Sequence, residues 1–95
     1  MSSYKILLVD DDRDLLEMLL SIFRRAGYTS LLTASSGPEA LRIWREAQPS
    51  LIVLDVMMPG MDGFSVLKEI RRISRVPVLM LTARGEAEDR IEGLE

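Results

Sequence analysis

Hydrophobic positions along the chain follow two alternating rhythms. Residues 5–9 form a short unbroken apolar run, Ile6-Leu7-Leu8-Val9 behind Lys5, which predicts a strand buried on both faces of a parallel sheet. From 14 to 26 the rhythm becomes helical, with Leu15, Leu16, Leu19, Ile22 and Phe23 at three- and four-residue spacing and Gly27 as the stop. A shorter strand is predicted over 29–33. Ser36-Gly37-Pro38-Glu39 then combines capping-box spacing with an early proline, and Ala40, Leu41, Ile43, Trp44 and Ala47 mark the buried stripe of a second helix. Pro49 ends it. Leu51-Ile52-Val53-Leu54 is the third strand, and a turn-rich loop, 57–63, leads to a helix carrying Phe64, Val66, Leu67 and Ile70. A fourth strand is predicted over 76–81, with Pro77 tolerable near its start, and a fourth helix over 86–94.

Strand and helix alternating at about 25 residues predict an α/β fold, a doubly wound parallel sheet with right-handed crossovers. The length of 95 residues sets the expectation of one domain, 1–95, with 47% hydrophobic residues to build its core. Twelve basic against fifteen acidic residues give a net charge of -3, which offers no basic surface for nucleic acid. Arg24-Arg25 and Arg71-Arg72 are read as cations at helix C-termini. Without cysteine or histidine, any metal must be held by oxygen, and the composition suits a reducing cytoplasm. The start of the chain does not read as a secretory leader, and no stretch approaches the roughly 20 apolar residues that span a bilayer. The six methionines are read mainly as core filler.

The chemistry lies at the strand ends. Asp10, Asp11 and Asp12 follow the first apolar run directly, Asp55 follows the third, and Thr82 follows the fourth. In a doubly wound sheet these positions face one crevice beyond the carboxyl ends of the strands. Asp12 is the candidate cap of the first helix. Two unit charges about 4 Å apart repel by roughly 4 kcal/mol at an effective dielectric near 20, so clustered carboxylates call for a hard dication, Mg²⁺ or Ca²⁺. An aspartate can also act as a nucleophile toward phosphorus, provided a metal screens the charge and donors steady the equatorial oxygens. In that scheme Asp10 and Asp11 supply the metal, Asp55 attacks, and the Thr82 hydroxyl donates to a phosphoryl oxygen.

The segments Lys-Ile-Leu-Leu-Val-Asp-Asp-Asp (5–12), Leu-Asp-Val-Met-Met-Pro-Gly-Met-Asp-Gly (54–63) and Val-Leu-Met-Leu-Thr-Ala-Arg (78–84) together resemble the receiver domain of two-component response regulators. The tail Asp-Arg-Ile-Glu-Gly-Leu-Glu (89–95) is similar to receivers of the subfamily with a winged-helix, DNA-binding output domain. The resemblance implies a flavodoxin-like fold with strand order 2-1-3-4. It implies that Asp55 is the phosphoacceptor, and that Mg²⁺ is held by Asp10, Asp11, Asp55 and the backbone carbonyl of Met57, with Asp11 a direct ligand. It further implies that Thr82 is the switch hydroxyl, that a sensor histidine kinase is the phosphodonor, and that DNA is reached only through an output domain absent from these residues. Gly63 matches the family glycine that lets the third helix start close to the loop.

On the same resemblance the sequence reads as truncated within the fourth helix, without the fifth strand and helix and without the lysine that meets the phosphoryl group. Lys5 and Lys68 do not stand where that cation would. The fourth strand is then expected to be an unpaired apolar edge, inviting self-association or a domain swap. Two other classes compete with a phosphoacceptor: a dimerisation or scaffold piece that has lost phosphotransfer, and an aspartate-nucleophile phosphatase. The latter places a second aspartate two residues after the nucleophile, where this chain has Met57.

Overall fold

A computed structural model describes residues 4–81 and the backbone of 91–92. Along the chain run β1 (Lys5–Val9), α1 (Arg13–Arg25), β2 (Ser30–Ala34), α2 (Gly37–Ala47), β3 (Leu51–Asp55), α3 (Gly63–Arg71), β4 (Val78–Leu81) and β5 (Ile91–Glu92). The sheet order is β2-β1-β3-β4-β5, parallel through the first four strands. This is the predicted doubly wound order 2-1-3-4. Successive side chains alternate across each strand. Ile6, Leu8 and Val53 therefore pack on one face with Leu16, Leu19, Leu20 and Phe23 of α1. Leu7, Val9, Ile52, Leu54, Val78 and Met80 pack on the other, against Ala40, Leu41 and Trp44 of α2 and Val66 and Ile70 of α3. Each fully buried aliphatic side chain contributes about 1.5–3 kcal/mol.

Helix ends follow the local chemistry. Asp12 caps α1 as expected, its carboxylate accepting from the backbone N–H groups of Asp14 and Leu15. Both arginine pairs fall at helix C-termini, and Arg71 does more: its guanidinium donates to the carbonyls of Ser74 (3.3 Å) and Val76 (2.7 Å), tying α3 to the approach of β4. Lys5 donates through Nζ to the carbonyl of Ala47 at the end of α2 (3.1 Å).

At α2 the cap differs from the expected box. Ser36 Oγ accepts from Glu39 N–H, but the Glu39 carboxylate returns to Ser35, accepting from its N–H (2.8 Å) and its hydroxyl (3.2 Å). The Ser35 N–H, aided by the Ser35 hydroxyl and Arg42 and opposed by partial burial, holds the Glu39 pKa below its ordinary value. A lowered folded-state pKa stabilises the fold above the unfolded-state pKa, and that contribution fades as pH falls through the folded value. Glu39→Gln is therefore expected to cost at most about 1 kcal/mol at neutral pH, with the gap closing in acid. Urea melts across pH 3–7 check this; a gap constant over that range would show that the ionised carboxylate contributes nothing.

Several expectations are corrected. Strand β2 runs one residue later than predicted, and β4 begins at Val78, because Pro77 has no N–H to offer a ladder; its carbonyl still accepts from Ile52 N–H (3.1 Å). Ile22 and Phe64, read as core, are about half exposed, since the buried stripe of α1 runs through 16, 19, 20 and 23 and Phe64, in the first turn of α3, lies outside both core clusters. Core filler describes Met58 and Met80, whereas Met18 and Met57 are exposed. The predicted fourth helix lies largely outside the described residues; the two that are described, Ile91 and Glu92, are extended and pair antiparallel with Leu81 and Met80. The β4 edge is thus paired in part rather than bare, which satisfies ladder groups that an edge would leave open.

Candidate functional site

Alternation along the strands sets the site. Val9 and Leu54 lie opposite each other in the β1–β3 ladder, both facing the α2/α3 side. The next residue on each strand, Asp10 and Asp55, therefore turns to the α1 side, next to the other. The backbone holds both in place: Asp10 N–H donates to Ala34 O (3.1 Å), extending the ladder with β2, and Val56 N–H donates to Leu81 O (3.2 Å), extending the one with β4.

Carboxylate oxygens of Asp10, Asp11 and Asp55 lie within 4.8 Å of one another. Asp10 is fully buried and Asp55 is 4% exposed, while Asp11 is exposed, so the cluster meets solvent on the Asp11 side. Asp10 Oδ1 accepts from the backbone N–H of Asp12 (2.9 Å). Asp12 therefore has two roles, capping α1 with its side chain and orienting Asp10 with its amide. The sequence reading missed the second, although an aspartate two residues before a helix cap is a known turn signal.

These residues fit a hard dication. All donors are oxygen, two carboxylates are withdrawn from water at a separation where like charges repel strongly, and the third opens to solvent, as a metal that keeps water ligands requires. Met57 follows in the loop and is 57% exposed. Thr82 lies outside the described residues.

The loop after β3 is fixed at both ends. Gly63 N–H donates to Val56 O (3.0 Å), and Asp62 caps α3 through its carboxylate on Ser65 N–H (2.9 Å). A Cβ on Gly63 would collide with the Asp55 carbonyl and lie 2.8 Å from Val56 Cα, so only glycine lets α3 start this close to the acidic cluster. Met58 is buried in the core behind the loop.

The family model of the response regulator receiver domain matches residues 6–95. The chain belongs to this family. Curated relatives of the receiver include a probable transcriptional regulator, ycf27, of Porphyra purpurea, 53% identical over 91 residues, covering 96% of this chain and 37% of the relative. A transcriptional regulatory protein, a CpxR homolog of Haemophilus influenzae, is 52% identical over 91 residues, covering 96% and 39%. The chain thus spans well under half the length of these relatives. Among solved structures, the N-terminal domain of a response regulator receiver protein from Methanoculleus marisnigri superposes with TM-score 0.80 at 40% identity, covering 87% of this chain and 69% of that one. Chemotaxis protein CheY4 of Vibrio cholerae gives TM-score 0.80 at 36% identity, covering 90% and 73%. The protein is a receiver domain of two-component signalling whose relatives are transcription regulators. Among the described residues no helix is long and apolar enough to cross a membrane.

Proposed function

We propose that residues 1–95 act as one phosphoacceptor module, taking a phosphoryl group from a sensor histidine kinase onto Asp55 with Mg²⁺ bound, to control a DNA-binding output domain elsewhere in the parent protein. The observation that carries this reading is the convergence of the Asp10, Asp11 and Asp55 carboxylates within 4.8 Å at the ends of two neighbouring strands.

Asp10, Asp11, Asp55 and the Met57 carbonyl would hold the metal. Bound there, Mg²⁺ neutralises charge between an anionic nucleophile and an anionic phosphoryl group. An Asp55 oxygen attacks phosphorus, forming an O–P bond as the P–N bond of phosphohistidine breaks and its electron pair leaves on the imidazole. The β3–β1 and β3–β4 ladders hold Asp55 rigidly, so little reorganisation is needed on attack. Asp10, oriented by the Asp12 amide, keeps its charge directed at the site. Thr82 would donate its hydroxyl to a phosphoryl oxygen. The reading places the module in the cytoplasm and includes self-association along β4, whose pairing with β5 reaches only Met80 and Leu81 among the described residues.

Acetyl phosphate tests the reading directly, because acetate then replaces imidazole as the leaving group. Incubation with Mg²⁺ followed by intact mass measurement is expected to show an alkali-labile gain of about 80 Da, the mass of one phosphoryl group, absent without the metal and absent in Asp55→Asn. An unmodified wild-type chain would favour the scaffold class instead. Trp44 is a poor reporter of metal binding: it sits in the last turns of α2, which lead into the start of β3, at the opposite end of the sheet from the acidic cluster.

A further inference from the structure

Gly37, the first residue of α2, is packed against the loop that follows β3. A Cβ built on it would lie 2.9 Å from each of Cβ, Cγ and Sδ of Met61. Those distances are too short for real carbon contacts, so the Met61 side chain rests on the bare backbone of Gly37 along most of its length. Met61 is half-buried and packs against the main core cluster, whereas its neighbours Pro59 and Gly60 are exposed. Gly37 takes no left-handed conformation, and alanine would favour a helix by up to about 1 kcal/mol. Backbone geometry gives no reason for glycine here. The space that Met61 fills does.

The loop from Val56 to Gly63 is therefore anchored at four places: Val56 on Leu81, Met58 in the core, Met61 on Gly37, and Gly63 back on Val56. Met57 lies between the first two anchors, and the exposed turn Pro59-Gly60 lies between the second and third. With Met61 displaced, the exposed turn Pro59-Gly60 loses its seat on α2, and the segment that carries Met57 is then held from that side by the burial of Met58 alone among the anchors named.

We propose that Met61, seated on Gly37, is a positioning residue for the metal site: it pins the β3–α3 loop to the start of α2 and so holds the Met57 carbonyl toward the Asp10–Asp11–Asp55 cluster. This rests on the metal-assisted reading above and adds to it a mechanical link between α2 and the site. Residues that orient metal ligands typically change affinity by 10–100-fold when altered.

Calorimetric titration with Mg²⁺ tests this on four proteins, each checked first for a cooperative melt: wild type, Gly37→Ala, Met61→Ala, and Ile6→Val as a control. Ile6 is buried on the opposite face near the start of β1, so its truncation lowers stability without touching the loop. Gly37→Ala and Met61→Ala are expected to weaken Mg²⁺ binding roughly 10-fold while Ile6→Val leaves it unchanged. Should Gly37→Ala fail to fold, Met61→Ala decides. Unchanged affinity in Met61→Ala, or equal weakening in the Ile6→Val control, overturns the positioning role while leaving the phosphoacceptor reading intact. A wild type that binds no Mg²⁺ instead removes the reading on which the proposal rests.

Discussion

Asp55→Asn is expected to make the metal-free protein more stable while abolishing both its response to Mg²⁺ and its phosphorylation. Three carboxylates with oxygens inside 4.8 Å, two of them buried, repel one another in the absence of a cation. At that separation one pair of unit charges is worth roughly 3 kcal/mol at an effective dielectric of 20. Asparagine keeps the shape and removes the charge, so a gain of about 1–3 kcal/mol is expected in urea melts with chelator present. Wild type, in turn, is expected to gain stability by mass action as Mg²⁺ is added, about 2.7 kcal/mol at a hundredfold excess over its dissociation constant, and the variant to gain little. The crossing of the two stability curves is the diagnostic result. If the variant is the less stable protein without metal, the repulsion ascribed to the cluster is not what governs it.

The second large effect concerns backbone packing. Gly63→Ala brings a methyl group against the Asp55 carbonyl and Val56 Cα, both of them backbone atoms that cannot rotate away. The Gly63 N–H to Val56 O bond prevents α3 from backing off without breaking. A cost of about 3 kcal/mol is expected, the upper part of the range for overpacking, and at 4–8 °C per kcal/mol the melting temperature should fall on the order of 15 °C. Gly27→Ala is the informative comparison. Gly27 has φ +103° with open space around it, so alanine there meets only conformational strain, on the order of 1 kcal/mol. Similar losses at both positions in calorimetric melts would mean that the close approach of α3 to β3 is not what requires glycine at 63. Because the displaced atoms include the Asp55 carbonyl, Gly63→Ala should also slow adduct formation from acetyl phosphate.

Much of this architecture is written in short-range pattern. Apolar runs ending in aspartate specify strands buried on both faces and put carboxylates at their tips, and the Asp12 and Ser36 caps with the Gly27 stop delimit helices through bonds within one turn. Where the reading of the sequence slipped, the deciding contact was distant. Ile22 and Leu20 are equally apolar, yet only Leu20 faces the sheet, a matter of a rotation that α1 takes from packing on Leu8 and Val53. Phe64 satisfies the helical period of α3 but lies in its first turn on the side away from the core, while Gly63, Val66 and Ile70 are buried. The pairing of Ile91 and Glu92 with β4 depends on an open ladder that no local signal reports.

The sequence by itself determined the alternation of strands and helices and the identity of the carboxylates, because strand period, helix caps and the residue following each apolar run are properties of neighbouring residues; the order 2-1-3-4 came from the family resemblance. Only the tertiary structure decided that Asp10 and Asp55 share a face within reach of Asp11, that the Asp12 amide orients Asp10, and that Met61 rests on Gly37. Those relations join residues from different strands and helices, and they exist only once the register of β1 against β3 and the seating of α2 beside the loop have been fixed by burial of the core.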